Sequence, residues 1–423
     1  MDVSSSDSGG YKPSINIEQA PSVMAPMMHI ATAYGFVIAA AVLLLANAPQ
    51  VAHGLYGDSR VILMVHCFSL GFLSMTAMGV LQQWVPVVFD VPPLPLARVT
   101  ANFLLYVVGI LGFAWGLLQP QWVVLACAGT VIAVAILIWS AGVIGQLARS
   151  SRPRDIIDRG IQAAVIGFNV VWVLGIFMAL SFLGWWPEYL VLPIHIGTAL
   201  VGWMGFLVLT VQLKLNPMFS MSKGSGINPA VPLYLAAGGV LLAWVSLFTG
   251  MFLFRVGALL WTAAIIVTTV QSMLVVLHGK AKTFDRVFVG VAAGWFLLLA
   301  AAGLAMWLNP LAVLFAFWGF LTLIFSYQAR IIPFIVALIV AKRTPGPIFK
   351  AFFMAQAMHS RHQPLAVGIM GVAGAVLSAM GRILVLPRLE TAAGAVALLL
   401  IGSEIQALVS AMARGRKQAA LRL

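Results

Sequence analysis

Chemistry in this 423-residue chain has few side chains to draw on: seven histidines, two cysteines and eleven carboxylates. His66 and His195 stand out among them, because each opens an apolar run that continues into a glycine–aromatic pair. An imidazole left unpartnered in hydrocarbon is costly, so a histidine in such a run is a functional candidate. Neutral imidazole is a common axial ligand of haem and a common copper ligand. His66 and His195 are therefore candidate metal or cofactor ligands, for haem b or copper. A hydrogen bond across helices, or snorkelling to headgroups, would serve a histidine equally well. Glu404, in Gly402-Ser403-Glu404-Ile405-Gln406, is the one carboxylate expected well inside an apolar run. Two roles stay open for it: a step in a proton or ion pathway, or a neutral, hydrogen-bonded structural acid. His29 and His278 fall at the ends of runs and His53 in a connection. His359 and His362, three apart, flank Arg361 in a segment that reads as solvated. Cys67 and Cys127 form no CxxC and read as small packing groups.

The elements that must position these residues are membrane helices. Of all residues 62% are hydrophobic and 8% are charged, and mean hydropathy is +1.04. A soluble domain carries roughly 25% charged residues, so a water-facing surface cannot be built from this composition. The chain reads as an all-α membrane protein with twelve spans, at 24–47, 61–89, 96–118, 121–148, 160–185, 189–215, 230–253, 256–278, 285–307, 310–340, 364–385 and 391–413. Each is long enough to cross about 30 Å of hydrocarbon. The long Leu/Ala/Val runs lack the alternation of a barrel, so helices satisfy the backbone. Residues 1–22 read as a disordered tail, 23–413 as one membrane domain, and 414–423 as a basic tail.

The net charge of +13 does not point to nucleic acid, because its placement follows the spans. Arg149, Arg152, Arg154 and Arg159, then Lys280, Lys282 and Arg286, then Lys342, Arg343, Lys350 and Arg361 crowd alternate connections, and the opposite ones hold little beyond Arg60, Arg255, Arg382 and Arg388. Positive-inside bias puts the first set, and both termini, in the cytoplasm of a bacterial-type inner membrane. The bilayer is then the first partner, with another membrane protein or a second copy as further candidates.

A repeat runs through the second, sixth and tenth spans. Gly71-Phe72 leads to Pro86, Gly202-Trp203 to Pro217, and Gly319-Phe320 to Pro333. Glycine and proline lie fifteen residues apart in the first two copies and fourteen in the third, and Gln83, Lys214 or Arg330 stands three before the proline. The spacing implies three four-helix units, at about 23–150, 159–280 and 284–413.

Twelve helices in three units of four, with the second helix of each equivalent, resembles subunit I of the haem–copper oxidase superfamily. The runs His66–Phe89, Gly202–Phe219 and Gly319–Phe334 look like a divergent oxidase-like branch near the nitric-oxide-response NnrS type. The resemblance implies that His66 matches the axial ligand of the low-spin haem and that His195 lies near the copper ligand of the sixth helix. It also marks departures. Position 199 is Ala where the family carries a tyrosine, and the seventh span holds no histidine. Ala312 and Leu314 stand at the tenth-span positions equivalent to His195 and His66. A binuclear oxygen-reducing centre cannot be assembled from this set, so the expectation is an accessory respiratory or nitric-oxide-related protein, not a terminal oxidase. A metal-free transporter or channel using Glu404, or a structural partner of a membrane complex, remains the alternative.

Overall fold

The computed structural model of the chain describes residues 19–182, 188–280, 284–343 and 362–420. Residues 1–18, His359 and the last three positions lie outside it. All regular structure among the described residues is helical, and twelve helices are long and apolar enough to cross a membrane. We number them α1 Met24–Ala46, α2 Ser59–Phe89, α3 Leu96–Leu118, α4 Trp122–Arg149, α5 Ile156–Leu180, α6 Leu190–Ser220, α7 Ala230–Thr249, α8 Met251–Leu277, α9 Arg286–Ala305, α10 Leu311–Pro333, α11 Gln363–Leu384 and α12 Pro387–Arg414. Helical conformation continues past α12 to Ala420.

Local chemistry sets the ends. Asp58 caps α2 by accepting the Arg60 N–H at 2.8 Å, one of the donors a helix start leaves unpaired. Asp90 and Met221 close α2 and α6 in the left-handed conformation, both at φ 54°. Each lies four residues past the repeat proline and returns its N–H to that proline's carbonyl. The prolines therefore sit in the last turns, where a missing N–H is tolerated. A short helix, Ala48–His53, joins α1 to α2 and packs on α11 and α12.

Consecutive helices pack pairwise, most closely α3 on α4, α7 on α8, α9 on α10 and α11 on α12. α1 also touches α3, α5 touches α7, and α9 touches α11. Further contacts join α4 to α5, α8 to α9, and α12 back to α1, which closes the set into a ring. α2, α6 and α10 are the most buried helices, as inner members of such a ring must be. Large apolar side chains such as Phe248, Phe252 and Phe296 face outward, where a membrane protein meets lipid rather than water.

Each repeat glycine lets another helix come close. A Cβ on Gly71 would strike the Phe36 ring of α1. One on Gly167 of α5 would strike the Gly202 carbonyl, and one on Gly294 of α9 would lie 3.0 Å from the Gly319 carbonyl. Close backbone approach through small residues is how helices pack where lipid removes the hydrophobic drive.

Candidate metal centre and buried polar network

His66 and His195 lie on α2 and α6, two helices that touch each other at Ser74 and Trp203. His66 ends the α-helical first part of α2, and its Nδ1 lies 2.8 Å from the Ile62 carbonyl. A carbonyl only accepts, so that nitrogen carries the proton and Nε2 keeps its lone pair. The ring packs on Phe113 of α3, with centroids 5.1 Å apart. His195 lies within electrostatic reach of His66, and its ring faces the Val171 backbone of α5. Its Nδ1 is buried without a hydrogen-bond partner. His66 thus has one nitrogen fixed on a backbone carbonyl, and His195 has one buried nitrogen without a partner. Metal-ligating histidines are held in this way, with the outer hydrogen bond setting tautomer and ring orientation.

The chemistry that His66 and His195 offer is imidazole nitrogen, a ligand type for haem iron or for copper. Imidazole suits both metals. Among the described residues no group of three or more His, Cys, Asp or Glu side chains converges on one point. His66 lies five residues before Gly71, whereas His195 lies seven before Gly202, so the two occupy different places in the repeat.

Below the histidines both helices change register. Residues Cys67–Ser74 of α2 and Thr198–Gly205 of α6 are π-helical, eight residues each. The two segments touch: the Trp203 indole N–H donates to Ser74 Oγ at 3.0 Å, and Ser74 Oγ donates to the Ser69 carbonyl at 2.9 Å. Tyr106 of α3 donates to the Leu70 carbonyl at 3.3 Å. Trp203 also stacks on Phe168 of α5, with centroids 4.2 Å apart and planes within 5°.

Glu404 is fully buried in α12, as the sequence leads one to expect. Its carboxyl faces Gln363 and lies within electrostatic reach of Tyr34, yet neither oxygen has a hydrogen-bond partner of normal geometry. Tyr34 donates to Gln328 Oε1 at 2.7 Å. Gln328 borders a cavity of about 60 Å³ where α2, α6 and α10 meet, walled by Thr76, Met204, Leu207 and Ile324 and edged by Gln212 and Tyr327. Gln328 Nε2 and Thr76 Oγ1 are buried there without partners. Beyond it Tyr327 donates to Asn216 Oδ1 at 3.0 Å, and Asn216 donates to Ser272 Oγ of α8 at 3.1 Å.

Sequence reasoning missed a second buried acid. Glu390, in the first turn of α12, is as buried as Glu404. Its neighbours are Ser378 and Arg382 of α11, and Arg382 also lies against Tyr56. Burial pushes the Tyr56 hydroxyl above its ordinary range, and the Arg382 guanidinium draws it part of the way back. Placed two residues after Arg388 in a connection, Glu390 gave no sequence signal; the short helix over the α11–α12 turn is what buries this end.

The remaining candidates resolve simply. His29 is core: its Nδ1 bonds the Ala25 carbonyl at 2.7 Å, its ring meets Phe103 edge-on at 5.0 Å, and Gly79 leaves room for it. His53, His278 and His362 are exposed. Cys67 is buried as expected of a packing thiol, whereas Cys127 is exposed on the outer side of α4. Compared with known proteins, the chain matches no protein-family model and no curated protein.

Proposed function

We propose that this multi-pass membrane protein holds one metal centre, a haem b or a copper ion, between α2 and α6 through His66 and His195. The observation that carries the reading is the buried, unpartnered His195 Nδ1, on a ring within electrostatic reach of His66, whose own Nδ1 is fixed to the Ile62 carbonyl. A buried nitrogen with no partner costs roughly 1–3 kcal/mol, and a metal removes that cost at His195. When bound, the group supplies one-electron chemistry or small-ligand binding. The chain's own residues orient it and shield it from water. The role is accessory, in respiratory, nitric-oxide or metal-cofactor physiology, in line with the oxidase resemblance.

The reading includes three four-helix units with α2, α6 and α10 equivalent. Its supports are the glycine contacts within each unit, the matching left-handed ends of α2 and α6, and the helix contacts that join α4 to α5, α8 to α9 and α12 to α1. A rotational repeat puts equivalent residues on the same flank of every unit. Side chains that meet at the border of two neighbouring units, away from the axis, then come from unequal positions, as Ser74 and Trp203 do. Both termini are assigned to the cytoplasm of an inner membrane. Reporter fusions after Arg152 and Lys282 should then read cytoplasmic, and one near His53 external.

A visible spectrum tests the centre. A Soret band that shifts on dithionite reduction identifies haem; copper without a Soret band identifies the metal ion. Protein from replete cells carrying neither favours the second reading, a proton-coupled transporter. That alternative draws on one feature, the cavity between α2, α6 and α10 and its link through Gln328 and Tyr34 to Glu404. Counterflow in liposomes that Glu404→Gln abolishes would support it.

A further inference from the structure

Three helices share the glycine–proline motif, but only two of them bear a histidine, and the same two bear a π segment. In α2 the π segment starts at the residue after His66; in α6 it starts three after His195. α10 runs as unbroken α-helix through the equivalent stretch, Leu311–Arg343, with Leu314 and Ala312 at the histidine positions. Spacing carries the same division: fifteen residues from Gly71 to Pro86 and from Gly202 to Pro217, fourteen from Gly319 to Pro333. A π turn is an α-helix with one residue inserted, and such turns gather at functional sites. The inserted residue rotates everything before it by about 100° relative to everything after it.

We propose that the inserted residue after each aromatic, at Leu73 in α2 and Met204 in α6, is a positioning element that turns the outer parts of these helices so that His66 and His195 face each other. The purpose rests on the metal reading; the geometry does not. Backbone groups loosened by the wider turn are met by dedicated side chains, Ser74 and Tyr106 on the Ser69 and Leu70 carbonyls. The bond from Trp203 to Ser74 then locks one π segment to the other, so the two rotated halves are set against each other as well as within their own helices. α10 has no histidine to aim and needs no extra residue.

The test removes one residue. In a Cys67→Ala, Cys127→Ala background, His66→Cys and His195→Cys should be joined within one chain by a short bis-maleimide. Removing Leu73 gives α2 the fourteen-residue spacing natural to α10 and should cut the cross-link at least tenfold. Restoring the count with an alanine inserted after Leu70 should bring it back. Removing Met204 makes the same prediction independently should the first deletion not yield a monodisperse protein. An extra leucine after Phe320 in α10 should leave the cross-link unchanged. In protein with both histidines, the Leu73 deletion should lower bound metal in parallel. A cross-link that survives either deletion in folded protein overturns the proposal, as does its absence from the undeleted parent. A parent that cross-links, from a wild type that binds no metal, overturns the metal reading and leaves the positioning role standing.

Discussion

α2 and α6 share a construction that α10 lacks. The first two are α-helical, then π-helical for eight residues, then α-helical to a left-handed cap four residues past proline. α10 has the same glycine and proline but stays α-helical throughout and continues past Pro333. The glycine serves packing in all three, since each meets the helix that leads into it. Of the three helices only α2 and α6 have a π segment, and those are the helices that carry His66 and His195. α10 instead gives its middle to hydrogen bonding, with Tyr327 reaching α6 and Gln328 reaching α1. One motif can thus be a packing element in all three helices and, under the positioning proposal, part of a site only in the two with a π segment.

The largest expected effect tests the shared part of that comparison. Gly167→Leu would drive a side chain into the Gly202 carbonyl, and backbone on a packed helix has little room to yield. Overpacking costs ~1–3 kcal/mol where side chains can adjust, and more is expected here. The purified variant should be aggregated or lost, as judged by size-exclusion profile. A monodisperse variant at wild-type yield would mean that α5 and α6 do not need this approach.

A smaller effect separates the two kinds of helix. Trp203→Phe removes the indole bond to Ser74 that joins the π segments, and Trp318→Phe removes a bond from α10 to Ser378 of α11 at 3.2 Å. Each should cost about 1 kcal/mol, read as a few degrees of melting temperature. Only the first should alter the absorption of the proposed metal centre. Equal spectral changes from both would erase the distinction between α6 and α10.

The smallest effect concerns the acid outside the histidine pair. Glu404 is buried with neither oxygen in a regular hydrogen bond, and burying an ionised or unpaired carboxyl is unfavourable. Glu404→Gln should therefore raise the melting temperature slightly and leave metal content unchanged. A drop in metal content would tie Glu404 to the centre and join two regions treated as separate.

What the sequence disclosed follows from the scale of each signal. The spans were legible because hydrocarbon thickness demands long apolar runs, and α2 begins and ends within a few residues of the sequence reading. Burial of Glu404 was legible because apolar residues flank it on both sides. Glu390 was not, since its burial comes from the short helix and α11, distant in sequence. The π segments left only a one-residue difference in glycine–proline spacing, which reads as noise until the helices are traced. That α2 and α6 touch at Ser74 and Trp203 could not be read from spacing at all, because it depends on how the two helices turn toward each other.

Metal content measured on wild-type protein and on His66→Ala, His195→Ala and the double variant is the most direct measurement of the paired site. Detergent-purified wild type from haem- and copper-replete cells should carry about one haem or one copper per chain. His66→Ala should lose it, His195→Ala should retain less than wild type with a shifted spectrum, and the double variant should be empty while keeping the wild-type helical content. Wild-type protein without haem or copper, or a double variant that still carries its full complement, would contradict a metal centre at His66 and His195.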